Sequence, residues 1–272
     1  AERIAGDHAD VEVLTSAGQE PHDLELTFKQ TVDVAEADVV VFSHGLQPAV
    51  DEAVEQAVDQ SGTHAVVDAA EVIDLLPAGE SHEEHEEHAD EEGHDHGDED
   101  TDPHFWLDPQ RLGAVAGALA DRLAEADPDN ADEYAVNLAA LQDDLTALDE
   151  EFTTGLDACV RDTIVVSHDA FGYLAARYDL HVESINGLTP DAEPSPAHLA
   201  ALAELIESDQ ITTVFAETLS TRDLADTLSS ELGLETAVLD PVEGLSEATA
   251  DEDYLSLMRG NLAAIAKAND CS

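Results

Sequence analysis

The sequence predicts an α/β protein of two lobes, each with a mostly parallel sheet flanked by helices, joined by one long rigid helix. Two observations predict this class. Short β-branched apolar runs alternate with helical segments in both halves of the chain, as is typical of parallel sheets. Between these halves, a single apolar stripe with helical spacing indicates one helix of about 30 residues.

Composition limits the classes of function. The chain has 272 residues, of which 43% are hydrophobic, so it can form extended cores. It carries 64 acidic and 9 basic residues, a formal net charge of −55. Such a surface repels phosphate backbones, so we expect no nucleic-acid partner. The sequence contains no run of about 18 apolar residues that predicts a membrane span.

The acidic residues extend along the whole chain. Thirteen of them fall within Glu80–Asp102, which leaves 51 elsewhere. Charge repulsion on this scale opposes folding unless salt screens it, and molar salt shortens the Debye length to about 3 Å. We therefore expect a halophilic protein that works in very high salt as a monomer; an ordinary acidic protein is the alternative.

The first lobe is predicted to cover residues 1–126. Its short apolar runs predict buried strands at Val11–Leu14, Val39–Phe42 and Ala65–Val67. Helical segments are predicted at Phe28–Ala37, Pro48–Gln60 and Leu107–Ala126. The last of these has Asp108 as a predicted cap and Pro109 in its first turn.

The joining helix is predicted over residues 127–157, with Asp127 as its cap and Pro128 in its first turn. Its apolar positions are spaced three or four residues apart: Tyr134, Leu138, Leu141, Leu145, Leu148, Phe152 and Leu156. Such a stripe also fits a two-stranded coiled coil. The α/β character of both flanking segments favours a helix that joins two lobes.

The second lobe is predicted to cover residues 158–272. Its predicted strands are Thr163–Ser167, His181–Ser184, Thr212–Ala216 and Thr236–Leu239. Its predicted helices are Ala170–Arg177, Ser195–Ser208, Thr221–Leu232 and Asp253–Asn269. Cys159 and Cys271 are too far apart in sequence for a metal-type pair, which leaves a disulfide or two buried thiols as alternatives.

A His- and acid-rich loop is predicted at residues 80–102. No residue between Ser81 and Gly97 is apolar and larger than Ala, so this segment cannot form a core. Five of the 13 histidines of the chain lie there: His82, His85, His88, His94 and His96. A solvated acidic loop explains the carboxylates but not the histidines. Imidazoles among carboxylates predict weak capture of zinc, copper or nickel.

Three further histidines each lie in a turn at the edge of an α/β unit. His22 comes after the first predicted strand, His104 precedes a helix, and His168 directly follows the strand at Thr163. Ligands of open α/β sheets bind outside the carboxyl ends of the strands. Asp240 also ends a predicted strand there. Each histidine alone fits a structural turn, but three equivalent placements favour a metal site.

The segments Gly18–Asp23, Asp102–Pro109 and Ser167–Tyr173, with a His-rich insertion before the second, resemble the metal-binding substrate-binding proteins of ABC transporters. The resemblance covers nearly the whole chain. It implies a protein that captures Zn²⁺ between two lobes and delivers it to an ABC permease. It further implies His22, His104 and His168 as ligands, with Asp240 at the fourth, acidic position. Glu20 and Glu217 are weaker candidates.

The resemblance also implies a metal and a compartment. Family members with His at the position of His168 are typically zinc proteins, whereas manganese members have Glu. An exported protein at the outer face of the cytoplasmic membrane, lipid-anchored or secreted, is expected, although the chain shows no signal peptide. Export to an oxidising compartment favours the disulfide between Cys159 and Cys271.

Three alternatives remain open. The first is a manganese receptor of the same family, and the second is a metal buffer or adhesin without a role in transport. The third is a zinc hydrolase, which requires an open coordination position and a general base. An acidic fourth ligand closes the site, and no G-x-S-x-G motif is present. We therefore predict that the protein is not an enzyme.

Overall fold

A computed structural model of the chain describes residues 1–61, 65–77, 101–188, 190, 193–219 and 222–272. The strands, in chain order, are β1 Val39–Phe42, β2 Ala65–Asp68, β3 Leu76–Pro77, β4 Thr101–Asp102, β5 Thr163–Val166, β6 His181–Ser184, β7 Thr213–Ala216 and β8 Glu235–Val238. The helices are α1 Glu2–Ala5, α2 Phe28–Glu36, α3 Pro48–Ser61, α4 Ala69–Val72, α5 Pro109–Ala126, α6 Ala131–Leu156, α7 Gly172–Tyr178, α8 Pro196–Ser208, α9 Asp223–Leu232 and α10 Tyr254–Ala268. The predicted α/β class and the long joining helix are confirmed.

The chain divides into two units that interleave in sequence. Unit 1 comprises Ala1–Leu75, Phe105–Thr154 and Val242–Arg259. Unit 2 comprises Leu76–His104, Gly155–Pro241 and Gly260–Ser272. The continuous boundaries at residues 1–126, 127–157 and 158–272 stay a prediction. Most of the predicted loop at residues 80–102, including its five histidines, lies outside the described residues.

In unit 1, β1 and β2 pair in parallel, with Val39 opposite Ala65. Helix α2 begins at a capping box, in which the Thr27 hydroxyl accepts from the Gln30 backbone N–H and the Gln30 side chain accepts from the Thr27 backbone N–H. One core cluster of this unit contains Leu24, Val34, Val50, Ala53, Val54 and Ala57.

The predicted strand at Val11–Leu14 is wrong. This segment has no regular secondary structure, and the side chain of Val13 is 70% exposed. Leu14 alone packs against the core cluster around Leu24. Glu12 interrupts the run, so the pattern of β-branched residues reflects local composition rather than a buried strand.

The α5–α6 region follows the predicted pattern except at one cap. The Asp108 side chain accepts from the Gln110 backbone N–H at the start of α5, as predicted. Asp127 does not cap α6. A short 3₁₀ turn separates it from that helix, and its carboxylate accepts from the Asn130 amide and the Tyr134 hydroxyl.

The predicted apolar stripe of α6 faces the protein interior. Its most buried members are Tyr134, Leu145, Leu148 and Phe152. Two leucines of the same stripe, Leu138 and Leu141, are partly buried and pack against the cluster that contains Tyr134. The stripe therefore belongs to the core of a single chain.

Unit 2 contains a four-stranded, all-parallel sheet with the strand order β6-β5-β7-β8. The two central strands, β5 and β7, are buried at all four positions. Both run toward the same edge of the sheet, so the residues that follow Val166 and Ala216 meet there. The short strands β3 and β4 form a separate antiparallel pair.

The structure joins Cys159 and Cys271 in a disulfide, which decides between the two alternatives left open by their spacing. Among the described residues, no helix is both long enough and apolar enough to cross a bilayer.

Candidate metal centre

Two histidines of unit 2 lie side by side in its interior. His168 follows β5 by two residues, and His104 follows β4 by two residues. Both residues are fully buried, at 0% exposure, and their ring centroids are 5.4 Å apart. One ring nitrogen of each lies within 4.8 Å of the other, close enough to share one metal ion.

A buried carboxylate orients each of these rings. Asp102 Oδ1 lies 2.7 Å from His104 Nδ1 and also accepts from the His104 backbone N–H at 2.9 Å. Glu217 Oε1 lies 2.7 Å from His168 Nδ1 and accepts from the His168 backbone N–H at 3.1 Å. An ionised carboxylate only accepts, so this geometry favours the tautomer that carries the proton on Nδ1 in both rings. Nε2 is then the nitrogen that offers its lone pair to a metal.

The segment Ser167–Tyr173 also positions Asp102. The Tyr173 hydroxyl donates to the Asp102 carbonyl oxygen at 2.7 Å and accepts from the Leu76 backbone N–H at 2.8 Å. A Cβ at Gly172 would lie 2.7 Å from Asp102 Oδ2, so a larger residue at this position would displace the Asp102 carboxylate. Two of the sequence motifs are thus coupled within unit 2.

The histidine pair is surrounded by negative charge. Besides Asp102 and Glu217, Asp169 lies beside the pair, and burial raises the pKa of its carboxyl group, with a further increase from the Asp102 carboxylate. Carboxylates near the histidine pair would stabilise a cation bound by the two rings, even where they do not coordinate it directly.

Unit 1 contains a second pair of potential ligands, His22 and Glu243. His22 Nε2 lies 3.4 Å from Glu243 Oε1, and their side chains are 13% and 1% exposed. Both residues are in loops. The two loops are connected by a 2.7 Å hydrogen bond from the Gly18 backbone N–H to the Leu245 carbonyl oxygen. Gly18 adopts φ +80°, which favours glycine at this turn.

Asp240, Glu217 and Glu20 stay predicted ligands, and the structure gives each of them a hydrogen-bond partner. Asp240 Oδ2 accepts from the Thr218 hydroxyl at 2.7 Å, within unit 2. Glu217 directly follows β7 and is the hydrogen-bond partner of the His168 ring. Glu20 accepts from the His22 backbone N–H at 3.2 Å.

Glu243 is not among the ligands predicted from the sequence, whose last member, Asp240, follows the final strand. It is a second carboxylate in the segment Leu239–Leu245, three positions after Asp240, and no local feature of the sequence distinguishes it from Asp240. The structure pairs that second carboxylate with His22.

Comparison with known proteins shows the family of this chain. A sequence profile described as ZnuA, zinc-uptake complex component A, periplasmic, matches residues 1–268. The chain belongs to the ZnuA family. The family resemblance predicted from the three motifs is therefore confirmed, and the profile describes an uptake component rather than an enzyme.

Two curated relatives and one solved structure show how far the similarity extends. The zinc-binding lipoprotein AdcA of Streptococcus pneumoniae is 36% identical over 270 residues, which cover 98% of this chain and 53% of AdcA. The high-affinity zinc uptake system protein ZnuA of Bacillus subtilis is 35% identical over 279 residues, covering 97% of this chain and 82% of that protein. The Zn(II)-bound ZnuA-like domain of S. pneumoniae AdcA superposes with a TM-score of 0.78 at 34% identity, covering 99% of this chain and 94% of that domain.

The chain spans about half the length of the AdcA proteins that it matches. It aligns with most of the length of the B. subtilis ZnuA protein and of the ZnuA-like domain. The shared part is therefore a ZnuA-like two-lobe α/β fold.

Proposed function

We propose that this chain is the receptor of a zinc importer, which binds one Zn²⁺ ion and delivers it to an ABC permease. The proposed ligands are His22, His104, His168 and Glu243. The observation that carries this proposal is the pair of buried histidines in unit 2, each with its Nδ1 and backbone N–H on one carboxylate oxygen. Such carboxylate–histidine pairs are typical of zinc sites.

The ligand set suits zinc in number and type. Zinc in proteins takes four ligands in tetrahedral geometry, and three imidazoles with one carboxylate meet that requirement. This set leaves no position for a water nucleophile, which favours binding over hydrolysis. Three nitrogen donors also favour zinc over manganese, which prefers oxygen donors.

The cellular setting of the proposal follows from the relatives and from the composition. One relative is named a lipoprotein and another an uptake system protein, which supports a position at the outer face of the cytoplasmic membrane. The disulfide in unit 2 suits an oxidising compartment. The net charge of −55 supports a monomer that works in molar salt, where coordination rather than long-range attraction must select the ion.

The test is metal stoichiometry and competition on the purified chain in molar salt, compared with a variant that lacks Ser81–Gly97. We expect the deletion variant to keep one tightly held zinc that manganese displaces poorly, and to lose additional weakly bound ions. If the deletion variant holds no tight ion, the chain is an acidic metal buffer and the proposal fails.

Adding His168→Ala to the deletion variant provides the internal control. This double variant should lose the tight ion if the proposed ligands hold it. His168→Glu should move the preference toward manganese, because it replaces a nitrogen donor with an oxygen donor. An unchanged metal preference would contradict the assignment of His168 as a ligand.

A further inference from the structure

The chain passes from unit 2 to unit 1 between Pro241 and Val242. Asp240, which precedes Pro241, is held in unit 2 by several hydrogen bonds. The Asp240 backbone N–H donates to Asn261 Oδ1 at 2.8 Å, and the Asn261 amide donates to the Asp240 carbonyl oxygen at 2.6 Å. The Asp240 carboxylate also accepts from Thr218. Asp240 thus acts as an anchor.

Glu243 and Leu245, which follow the point where the chain enters unit 1, are held by contacts within that unit. Glu243 faces His22, and the Leu245 carbonyl oxygen accepts from Gly18. Only Pro241 and Val242 lie between the two anchored segments. The ring of Pro241 fixes its φ torsion. The φ and ψ torsions of Val242 therefore supply most of the remaining backbone freedom that sets the direction of Glu243.

Val242 has a strained backbone. Its φ is +58°, in the left-handed region that β-branched residues rarely adopt. Among the residues that the structure describes, three other non-glycine residues have positive φ, namely Asp179, Gln210 and Asp270. These three follow the ends of α7, α8 and α10, where a left-handed residue commonly closes a helix. Val242 follows a strand, so helix closure does not account for its conformation.

We propose that Val242 is a positioning residue whose strained backbone aims Glu243 at His22 and, by opposing that arrangement, speeds release of the bound ion. This inference rests on the proposed zinc-receptor function. When Glu243 moves away from His22, the strain at Val242 is relieved. This strain therefore lowers the barrier to release of the bound ion. A receptor that must pass its ion to a permease benefits from such a loop.

The test uses three substitutions at this position. Val242→Asn and Val242→Gly accept positive φ with less strain, whereas Val242→Ile keeps the β-branch. The rate of zinc release is measured by stopped-flow with excess EDTA. We expect release to slow about tenfold in the Asn and Gly variants and to stay unchanged in the Ile variant.

Gln210→Gly is the matched control, because it relieves a positive φ at the end of α8 and leaves the passage unchanged. It should raise thermal stability without slowing release. Equal or faster release in the Asn and Gly variants overturns the role of Val242, as does slower release in Gln210→Gly. A wild-type chain that binds no zinc at equilibrium overturns the zinc-receptor function instead, so the two failures are distinguishable.

Discussion

The two pairs of proposed ligands in this chain are built in different ways. In unit 2, His104 and His168 are fully buried, and each has its ring and its backbone N–H fixed by one carboxylate oxygen. In unit 1, His22 and Glu243 come from two loops that are connected by a backbone hydrogen bond, and His22 is partly exposed.

This difference suggests that the two pairs contribute differently to zinc affinity and to zinc release. The unit 2 pair lies after β4 and after a central strand of a buried parallel sheet, so its geometry is fixed before any ion arrives. The unit 1 pair can rearrange at lower cost, because loops have fewer buried contacts than sheet strands. We infer that the unit 2 pair provides most of the affinity and the unit 1 pair controls release.

The strongest test of this comparison removes a ligand from the rigid pair. His104→Ala or His168→Ala should weaken zinc affinity on the order of a thousandfold, because each removes one of the four proposed ligands together with a preformed geometry. Isothermal titration against a competing chelator measures this loss.

His181→Ala is the control for this experiment. His181 belongs to the same unit, but its side chain is 74% exposed on β6. Its removal should leave zinc affinity within about twofold of wild type. An equal loss in His181→Ala would mean that the chain binds zinc through its surface histidines in general.

The next test concerns the loop pair. Glu243→Gln should weaken zinc affinity about a hundredfold, because the charged oxygen donor becomes a neutral amide. Asp240→Asn should change it little, since an amide oxygen at that position can still accept from Thr218. The same titration separates the two variants. A larger loss of zinc affinity in Asp240→Asn than in Glu243→Gln would favour Asp240, the acidic ligand predicted from the sequence alone.

A smaller effect is expected from the carboxylates that orient the rigid pair. Asp102→Asn or Glu217→Gln should weaken zinc affinity about tenfold, because the amide holds the ring but no longer supports the charge of the bound ion. Asp162→Asn, which changes an exposed carboxylate beside His181, should have no measurable effect. If Asp102→Asn and Asp162→Asn behave alike, the rings do not depend on their carboxylates for affinity.

Much of the fold was predictable because its strands and helices carry local signals. The Asp108 cap before Pro109, the stripe of α6 and the β-branched runs at β1 and β5 all agreed with the structure. Val11–Leu14 failed because a β-branched run forms a strand only when a neighbouring strand pairs with it, and sequence does not show that partner.

The site was predictable only in part, for a related reason. His168 directly follows a clear strand, so the end of β5 marked it as a candidate. Glu243 lies beyond the end of β8, on a loop whose path depends on the anchors at Asn261 and Gly18. Those hydrogen bonds join residues that are distant in sequence, so no local pattern could favour Glu243 over Asp240.

The smallest effect on zinc affinity is expected from the disulfide. Cys159 precedes the amino end of β5, whereas His168 follows its carboxyl end, so the bond and the rigid pair lie at opposite edges of the sheet. Replacing both cysteines with serine should lower the free energy of unfolding by about 3 kcal/mol, because the bond closes a long loop in the unfolded chain.

Zinc affinity of this double variant should nevertheless stay within about twofold of wild type, because other contacts hold the same junction. The backbone N–H groups of Val160 and Arg161 donate to the Asn269 carbonyl oxygen, and the Arg161 guanidinium donates to the Ala268 carbonyl oxygen. Chemical denaturation and the chelator titration, run on one preparation, measure both quantities. A large loss of affinity with intact folding would show that the rigid pair depends on the far edge of the sheet, and would contradict the view that its own carboxylates fix its geometry.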